Sequence, residues 1–158
     1  MEHARSATAD DLADLVMLAR RLRDDLGQQR GGELWATRDV DGEPLDEAFT
    51  AALSRPDTAV VIGSIDDVAV GYGVVRVETL RDDTRLGRLT ELFVEPEARG
   101  VGVGEAIARE VLDHCRQAKC RGVDVIALPG HRATKNFFEE QGFAARAIVM
   151  HHEVEAGS

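Results

Sequence analysis

The chain has 158 residues, a length typical of one domain and sufficient to bury a hydrophobic core. Hydrophobic residues make up 44% of the sequence and charged residues 30%, which argues against wholesale disorder. The 19 basic and 29 acidic residues give a net charge of −10, which disfavours a nucleic-acid partner because phosphate binding needs a basic surface. No apolar run approaches the roughly 18 residues of a membrane span, so no membrane partner is expected.

The first ten residues turn acidic by Asp10 and do not resemble a secretory signal peptide, so we expect a cytoplasmic location. Cys115 and Cys120 are five residues apart and form neither a CxxC pair nor a His-spaced zinc motif. Their spacing favours reduced thiols, and the sequence therefore predicts no metal site.

Apolar periodicity, β-branched runs and turn residues predict the secondary structure in chain order. The first half is predicted to contain a helix over about 9–27, a loop over 27–44, a second helix from Leu45 to near Pro56, and a β-hairpin with strands over 58–65 and 68–77. The second half is predicted to contain a strand over about 88–95, a helix over 102–118, a strand over 123–128, a short helix over 133–141 and a final strand over 143–154. This order describes one α/β domain in which about four helices flank a mixed sheet.

The most informative segment runs from Leu92 to Gly104, with the sequence LFVEPEARGVGVG. A strand ends at a proline here, and alternating glycines then open a helix. Gly100 and Gly102 leave backbone N–H groups uncovered at the positive end of that helix, which suits a phosphate group. Arg99 can add charge-assisted hydrogen bonds to the same anion. Glycine spacing alone leaves a second interpretation open, in which the glycines only permit a tight turn.

Two other phosphate-binding motifs do not fit, because GxGxxG counted from Gly100 meets Glu105 and no Walker lysine follows. The pattern L-x-V-x-P-x-x-R-G-x-G-x-G, between a strand and an amphipathic helix, instead resembles the acetyl-CoA signature of the GNAT superfamily of N-acyltransferases. The segment FFEEQGF over 137–143 resembles the second landmark of that family, usually F/L-Y-E-x-x-G-F. The order of elements resembles the family over nearly the whole chain.

The resemblance implies a GNAT-like α/β fold, with one N-acetyltransferase domain over 1–158. Residues 1–86 would lie mainly on the acceptor side and residues 87–158 mainly on the acetyl-CoA side. Acetyl-CoA would be the co-substrate, and a primary amine would attack its thioester directly in a ternary complex, without a covalent enzyme intermediate or a metal. The alternative is a non-catalytic acyl-CoA-binding module that senses the cofactor or regulates a partner.

The resemblance also implies which residues contact the cofactor. The third predicted strand would pair with the pantetheine arm, the glycine turn would wrap the pyrophosphate, and two later positions match cofactor-facing positions of the family. These residues are Leu92, Phe93, Val94, Arg99, Gly100, Val101, Gly102, Val103, Gly104, Glu105, His131 and Phe138. A backbone N–H near Phe93 or Val94 would hold the oxyanion of the tetrahedral intermediate, and we assign this role to Val94.

A base should assist the reaction, because an alkylammonium with a pKa near 10 is only about one part in 10³ neutral at pH 7. Glu91 on the third predicted strand is the first candidate, and Glu78 at the end of the preceding strand is the second. A water relay is the alternative to both. Phe138 stands where the family usually has the tyrosine that protonates the leaving thiolate, so water or His131 would have to replace that hydroxyl.

The acidity of the chain is uneven. Residues 1–86 carry 10 basic and 18 acidic side chains, for −8, whereas residues 87–158 carry 9 and 11, for −2. The acidic half is the presumed acceptor side, so the charge predicts a cationic small-molecule or peptide amine as acceptor. The resemblance allows a homodimer, although no motif in the sequence indicates one.

Overall fold

The computed structural model describes residues 1–128 and 132–155. This part of the chain contains five strands and five α-helices. In order they are β1 (Glu2–Ser6), α1 (Leu12–Gly27), α2 (Gly32–Leu34), α3 (Leu45–Ser54), β2 (Thr58–Ile65), β3 (Val68–Thr79), β4 (Arg85–Val94), α4 (Val103–Gln117), β5 (Cys120–Val125) and α5 (Arg132–Glu140). Short 3-10 turns precede α1 and α4, at Ala9–Asp11 and Pro96–Ala98, and a π-helical turn at Trp35–Asp39 follows α2.

The strands form one mixed sheet in the order β1-β2-β3-β4-β5. The first four strands are antiparallel to their neighbours, and β5 runs parallel to β4 at the edge. The helices α1 and α3 cover one face of the sheet, and α4 with Phe138 of α5 covers the other. Both faces of the central strands are therefore buried, and the carboxyl end of β4 opens toward the amino end of α4.

The start of α1 is fixed to β1 by side chains. The Thr8 N–H donates to Asp11 Oδ2 at 2.8 Å, which satisfies a backbone donor that the helix cannot use. The Arg5 guanidinium donates to both carboxylate oxygens of Asp11, each at 2.8 Å. One apolar stripe of α1 is then buried against the sheet, consisting of Leu15, Leu18, Ala19 and Leu22.

Glycines in the sheet let α4 approach closely. A Cβ added at Gly63 would lie 2.8 Å from Ile107 Cδ1, and one at Gly71 would lie 2.7 Å from the Phe93 carbonyl oxygen. Both separations are below van der Waals contact, so any side chain at these positions would push α4 or the neighbouring strand away. The fully buried Ile107 thereby sets the height of α4 above the sheet and the position of the glycine turn beside β4.

The structure confirms the α/β class with a mixed sheet, and it corrects the predicted elements in five respects. Residues 2–6 form a strand that was not predicted, and the predicted loop over 27–44 contains α2 and a π-helical turn. The helices number five rather than about four, and β5 covers 120–125 rather than 123–128. The final strand predicted over 143–154 is wrong for the chain as described, because residues 143–155 form neither strand nor helix.

No helix in residues 1–128 and 132–155 is long and apolar enough to span a membrane.

Candidate active site

The glycine turn connects β4 to α4 through two residues with left-handed backbone. Gly100 has φ of +84° and Gly102 has φ of +96°, a region that favours glycine because other residues carry a Cβ. The first helical hydrogen bond runs from the Ala106 N–H to the Gly102 carbonyl at 3.0 Å. The N–H groups of Gly102, Val103, Gly104 and Glu105 therefore have no partner inside the helix. They form a positive cradle of the size and chemistry of a phosphate.

Three side chains border this cradle, and one of them is Glu2, whose Oε1 would lie 3.4 Å from a Cβ at Gly102. The Arg99 side chain is exposed and turns back onto β4, where its Nε donates to the Val94 carbonyl at 2.8 Å. Its guanidinium carbon lies 5.8 Å from the centre of the Phe93 ring. On the opposite side, a Cβ at Gly104 would lie 3.2 Å from Phe137 Cε1, so the ring of Phe137 packs directly on the first turn of α4. The residues present therefore fit the diphosphate of a CoA molecule, because the Arg99 guanidinium and the N–H groups of the cradle can bind the same anion.

The backbone of β4 has a free edge at the residues predicted to meet the pantetheine arm. Pairing between β4 and β5 ends at Leu89 opposite Val125, so no strand from the described residues pairs with the last residues of β4 on that side. On the other side the Glu95 N–H donates to the Val70 carbonyl at 2.8 Å. Hydrogen-bonded residues alternate in an antiparallel ladder, so Phe93 bonds to Tyr72 whereas Val94 directs its N–H toward the free edge.

This alternation distinguishes the two candidate oxyanion donors. The Phe93 N–H belongs to the ladder with β3, so it is not available to a ligand between β4 and β5. The Val94 N–H points into the gap, next to the cradle. Leu92 has the same backbone orientation as Val94, which suits the addition of an extended ligand along β4.

Glu91 lies in a buried polar cluster on the α1 side of β4. Arg23 of α1 donates from Nη1 to Glu91 Oε1 at 2.7 Å, and the Tyr72 hydroxyl donates to the same oxygen at 2.6 Å. The side chains of Arg23 and Glu91 are only 14% and 5% exposed. Arg23 also donates to the Asp41 carbonyl from Nη2 at 2.9 Å and to the Ala19 carbonyl from Nη1 at 3.1 Å. The Glu91 carboxylate is therefore held in one orientation by two donors.

Burial and the Glu91 charge change the chemistry of Tyr72. Complete burial penalises the phenolate, and the neighbouring carboxylate of Glu91 repels it, so the pKa of Tyr72 is raised well above its ordinary value. The hydroxyl therefore keeps its proton and acts as a hydrogen-bond donor. A narrow cavity beside this cluster is lined by Arg23, Asp41, Phe49 and Glu91 and has no room for a water molecule.

Each acid next to the cluster pairs with an arginine. Arg76 Nη2 donates to Asp41 Oδ2 at 2.8 Å, and Arg21 of α1 pairs with the buried Glu95 at the end of β4. The side of β4 that faces α1 thus carries balanced ion pairs. The excess acidity of residues 1–86 lies elsewhere on the surface, in exposed residues such as Asp24, Asp25 and Glu47.

The second candidate base lies far from the gap. Glu78 is exposed and pairs in register with Leu86, whereas Val94 is eight residues farther along β4. Eight residues of strand span about 26 Å. Glu91, only three residues from Val94, is about 10 Å away along the same strand. Of the two candidates, Glu91 is therefore the one that lies closer to the Val94 N–H.

The remaining predicted residues have different positions. Phe138 is buried, with its ring 5.3 Å from the centres of both Phe137 and Phe143, so it is part of the core beneath α4. Its neighbour Phe137 is the ring that contacts the cradle. Val101 and Glu105 are exposed at the turn, whereas Val103 is fully buried and contributes only backbone. His131 lies outside the described residues.

Sequence reasoning missed Arg23 and Tyr72 as partners of Glu91, and Asp41 as a partner of Arg23. The sequence contains one signal for Arg23. This charged residue follows the buried Ala19 by one helical turn, so it lies on the buried stripe of α1. Among the described residues, no group of three or more His, Cys, Asp or Glu side chains is arranged to hold a metal ion.

Comparisons with known proteins agree with this geometry. The model of the acetyltransferase (GNAT) family matches residues 20–143. An uncharacterised N-acetyltransferase from Archaeoglobus fulgidus is 33% identical over 113 residues, which cover 70% of this chain and 71% of that protein. Glucosamine 6-phosphate N-acetyltransferase from Arabidopsis thaliana is 25% identical over 124 residues, covering 75% of this chain and 81% of that protein. The structure of the aminoglycoside N-acetyltransferase AAC(6′)-Iy with a CoA bisubstrate analogue is similar at a TM-score of 0.78 and 17% identity, covering 99% of each chain.

The sheet, the gap beside β4 and the glycine cradle define an acetyltransferase fold. The chain belongs to the GNAT family of acetyltransferases. Family membership supports acetyl transfer to an amine, and a protein of the same fold binds a CoA-containing analogue.

Proposed function

We propose that this protein is an N-acetyltransferase that moves the acetyl group of acetyl-CoA to a primary amine in a ternary complex. The observation that carries the proposal is the pair of left-handed glycines, Gly100 and Gly102, placed at the free edge of β4. This arrangement provides amides for the diphosphate and a strand edge for the pantetheine arm within one short segment. One protein surface can thus hold the pantetheine arm and the diphosphate of a CoA molecule.

The proposed chemistry needs few side chains. The amine nitrogen attacks the thioester carbon, and the Val94 N–H donates to the oxygen that becomes negative. Collapse of the tetrahedral intermediate breaks the carbon–sulfur bond and releases the CoA thiolate. The amine proton passes to a base, and the thiolate takes a proton from solvent, since Phe138 carries no hydroxyl. A thiolate with a pKa near 8.5 leaves adequately without a dedicated acid.

We assign the base to Glu91, supported by its burial, its charge and its position three residues before Val94. Arg23 and Tyr72 act as positioning residues that hold its carboxylate. The cavity beside Glu91 has no room for water, so the acceptor amine reaches the carboxylate only if the Arg23 guanidinium moves aside. A proton relay through water is the alternative route, and the pH dependence discussed below distinguishes the two.

The acceptor is proposed to be a small amine or a peptide amine, bound by α1, α3 and the segment 28–44. The named relatives suggest a first panel, since one acetylates glucosamine 6-phosphate and another has been captured with an acetylneamine analogue. Amino sugars, aminoglycosides, polyamines and peptide amines belong in that panel. We further propose that residues 1–158 act as one cytoplasmic domain.

The direct test is to incubate the purified protein with acetyl-CoA and each amine while following the release of free thiol. Amine-dependent thiol release, with the acetylated amine found by mass spectrometry, is the expected result. Tight CoA binding without thiol release across the panel would favour the non-catalytic sensor instead. Failure to bind CoA would contradict both functions.

A further inference from the structure

The amino end of α4 has an acidic neighbour from the first strand of the sheet. A Cβ added at Gly102 would lie 3.4 Å from both Cγ and Oε1 of Glu2. Glu2 is therefore located beside the cradle that is proposed to hold the CoA diphosphate. Its charge has the sign opposite to the one that an anion site needs, so this acid requires an explanation.

Strand pairing fixes the position of Glu2. The strand β1 pairs with β2 along its whole length, beginning with Glu2 opposite Ile65. Ala4 is opposite Gly63 and is buried in the same cluster as Val103 at the start of α4. Residues two apart on a strand share a face, so Glu2 lies on the side of β1 that faces α4. The sheet therefore holds the Glu2 backbone in place and presents its side chain to the start of that helix.

The charge of Glu2 is not neutralised by a salt bridge. In the part of the chain that the structure describes, its carboxylate has neither a hydrogen bond nor an ion pair. The terminal ammonium of Met1 also attracts Glu2, but it is ion-paired with Asp66. Arg99, the cation at the cradle, donates to the Val94 carbonyl instead. The Glu2 carboxylate is therefore able to act on any other charge that comes close to it.

We infer that Glu2 acts as an internal anion that limits the affinity of the protein for CoA. Before CoA binds, the Glu2 carboxylate lies next to the positive end of α4, a position that favours an acid. When the diphosphate occupies the cradle, the same carboxylate is next to charges of its own sign and repels them. Both effects favour the cradle without its ligand. The inference rests on the proposed binding of CoA and names a residue that sets how tightly this site holds it.

The separation between Glu2 and a bound phosphate is short enough for this repulsion to matter. The Gly102 nitrogen is about 2.5 Å from the Cβ position, and an oxygen held by its N–H would be about 2.9 Å farther away. Because Glu2 Oε1 is 3.4 Å from that Cβ position, the two oxygens are at most about 9 Å apart. The Debye length is about 10 Å at 0.1 M salt. Two phosphate charges and one carboxylate at this distance change an affinity by roughly three- to tenfold.

The effect of Glu2 should extend to both ligands of the catalytic cycle, because acetyl-CoA and CoA carry the same diphosphate. Release of the product limits turnover in many enzymes. A carboxylate that weakens the binding of CoA would therefore speed its release, at the cost of a higher KM for acetyl-CoA.

The test is isothermal titration of the full chain with CoA at low ionic strength. Glu2→Gln should bind CoA about three- to tenfold more tightly than the wild type, and Glu2→Lys should bind it more tightly still. Glu2→Asp keeps the charge and should stay close to the wild type. The matched control is Glu78→Gln, which removes one charge at the opposite end of the sheet and should leave the affinity unchanged. The gain in Glu2→Gln should shrink as salt is added.

Dephospho-CoA identifies the phosphate group that Glu2 opposes. This ligand keeps the diphosphate of CoA and lacks the 3′-phosphate, so Glu2→Gln should increase the affinity for both ligands by the same factor. A gain for CoA alone would overturn the inference, because Glu2 would then act on the 3′-phosphate and not on the diphosphate in the cradle.

Two further results would overturn the inference while leaving the proposed function intact. One is a wild-type protein that binds CoA together with a Glu2→Gln variant of equal or lower affinity. The other is an equal gain in Glu78→Gln, since net charge and not the position of Glu2 would then govern the affinity. If the wild type, Glu2→Gln and Glu2→Lys all fail to bind CoA, the proposed function is contradicted, and the inference is overturned with it.

Discussion

Arg23 of α1 and Glu91 of β4 form a nearly buried ion pair, 2.7 Å between Nη1 and Oε1, across the layer where an acceptor would bind. Such pairs are costly to break, because removing one partner leaves the other charge buried without compensation. The pair connects the acceptor-side helix to the strand that would carry the thioester. Its integrity should therefore influence both the stability of the fold and the behaviour of the candidate base.

We expect Arg23→Ala to destabilise the protein by about 3–5 kcal/mol, since the buried Glu91 carboxyl would lose its cationic partner. Arg20→Ala is the matched control, because Arg20 pairs with Glu43 on the surface and both side chains are 58% exposed. An exposed pair contributes about 0–1 kcal/mol. The double variant R23M/E91Q should recover most of the loss, as Tyr72 keeps an acceptor. Urea denaturation measures all three, and equal effects of R23A and R20A would contradict the buried pair.

Tyr72 provides a spectroscopic prediction, because it is the only tyrosine in the chain. Burial raises its pKa well above the ordinary value of 10, so the near-ultraviolet absorbance of tyrosinate should not appear while the protein is folded. The folded state holds this proton more tightly than the unfolded state. The resulting stabilisation is complete below about pH 10 and is lost as the pH rises above it.

The measurement is an absorbance titration in buffer and in guanidinium chloride. The unfolded chain should ionise near pH 10, whereas ionisation in buffer should coincide with loss of the circular dichroism signal. Ionisation near pH 10 in a protein that is still folded would show that the hydroxyl is accessible to solvent.

Sequence patterns predicted those parts of the fold that are governed by local chemistry. The stripe from Leu15 to Leu22, the hairpin around Asp66 and the glycine turn each have a signal within a few residues. The strand β1 has no such signal, since only Ala4 among its five residues is buried and its order comes from pairing with β2. The segment 147–155 shows the opposite behaviour. Its sequence is typical of a strand, but it forms no strand in the structure.

The same division between local signals and tertiary contacts applies to the candidate site. The cradle glycines follow from a motif within one segment, and Glu91 was chosen because it precedes the strand end. The pairing of Glu91 with Arg23 joins residues 68 positions apart and depends on how α1 lies across the sheet. The core position of Phe138 depends in the same way on the docking of α5 against α4. Neither contact can be read from local spacing.

For the cradle, we expect Gly102→Asp to weaken CoA binding by at least about tenfold, which corresponds to about 1.4 kcal/mol. The substitution places a carboxylate beside the phosphate and strains a backbone with φ of +96°. Gly142→Asp is the matched control, because its φ of +92° imposes similar strain at the end of α5, away from the cradle. Isothermal titration with CoA compares the two. Equal losses would attribute the effect to backbone strain rather than to the phosphate site.

Arg99→Glu tests the same anion site through a side chain. Arg99 is exposed and held by the Val94 carbonyl, so its replacement should reduce CoA affinity with little change in stability. The loss of CoA affinity in the variant relative to the wild type should shrink as salt is added, because the attraction to the diphosphate is electrostatic. CoA affinity that is unchanged at low salt would remove Arg99 from the site.

The base assignment is tested by the pH dependence of Glu91→Gln. If Glu91 takes the amine proton, the variant should lose about 10²–10⁴ in turnover at neutral pH. The loss should shrink toward pH 10, where a growing share of the amine is already neutral and needs no base. Glu78→Gln is the control, since Glu78 is exposed and distant from Val94, and its pH–rate profile should match the wild type.

A constant loss across pH for Glu91→Gln would assign Glu91 a structural role with Arg23. A pH-dependent loss in Glu78→Gln would transfer the base to that residue, because an exposed carboxylate without a catalytic role has no reason to respond to the protonation of the substrate.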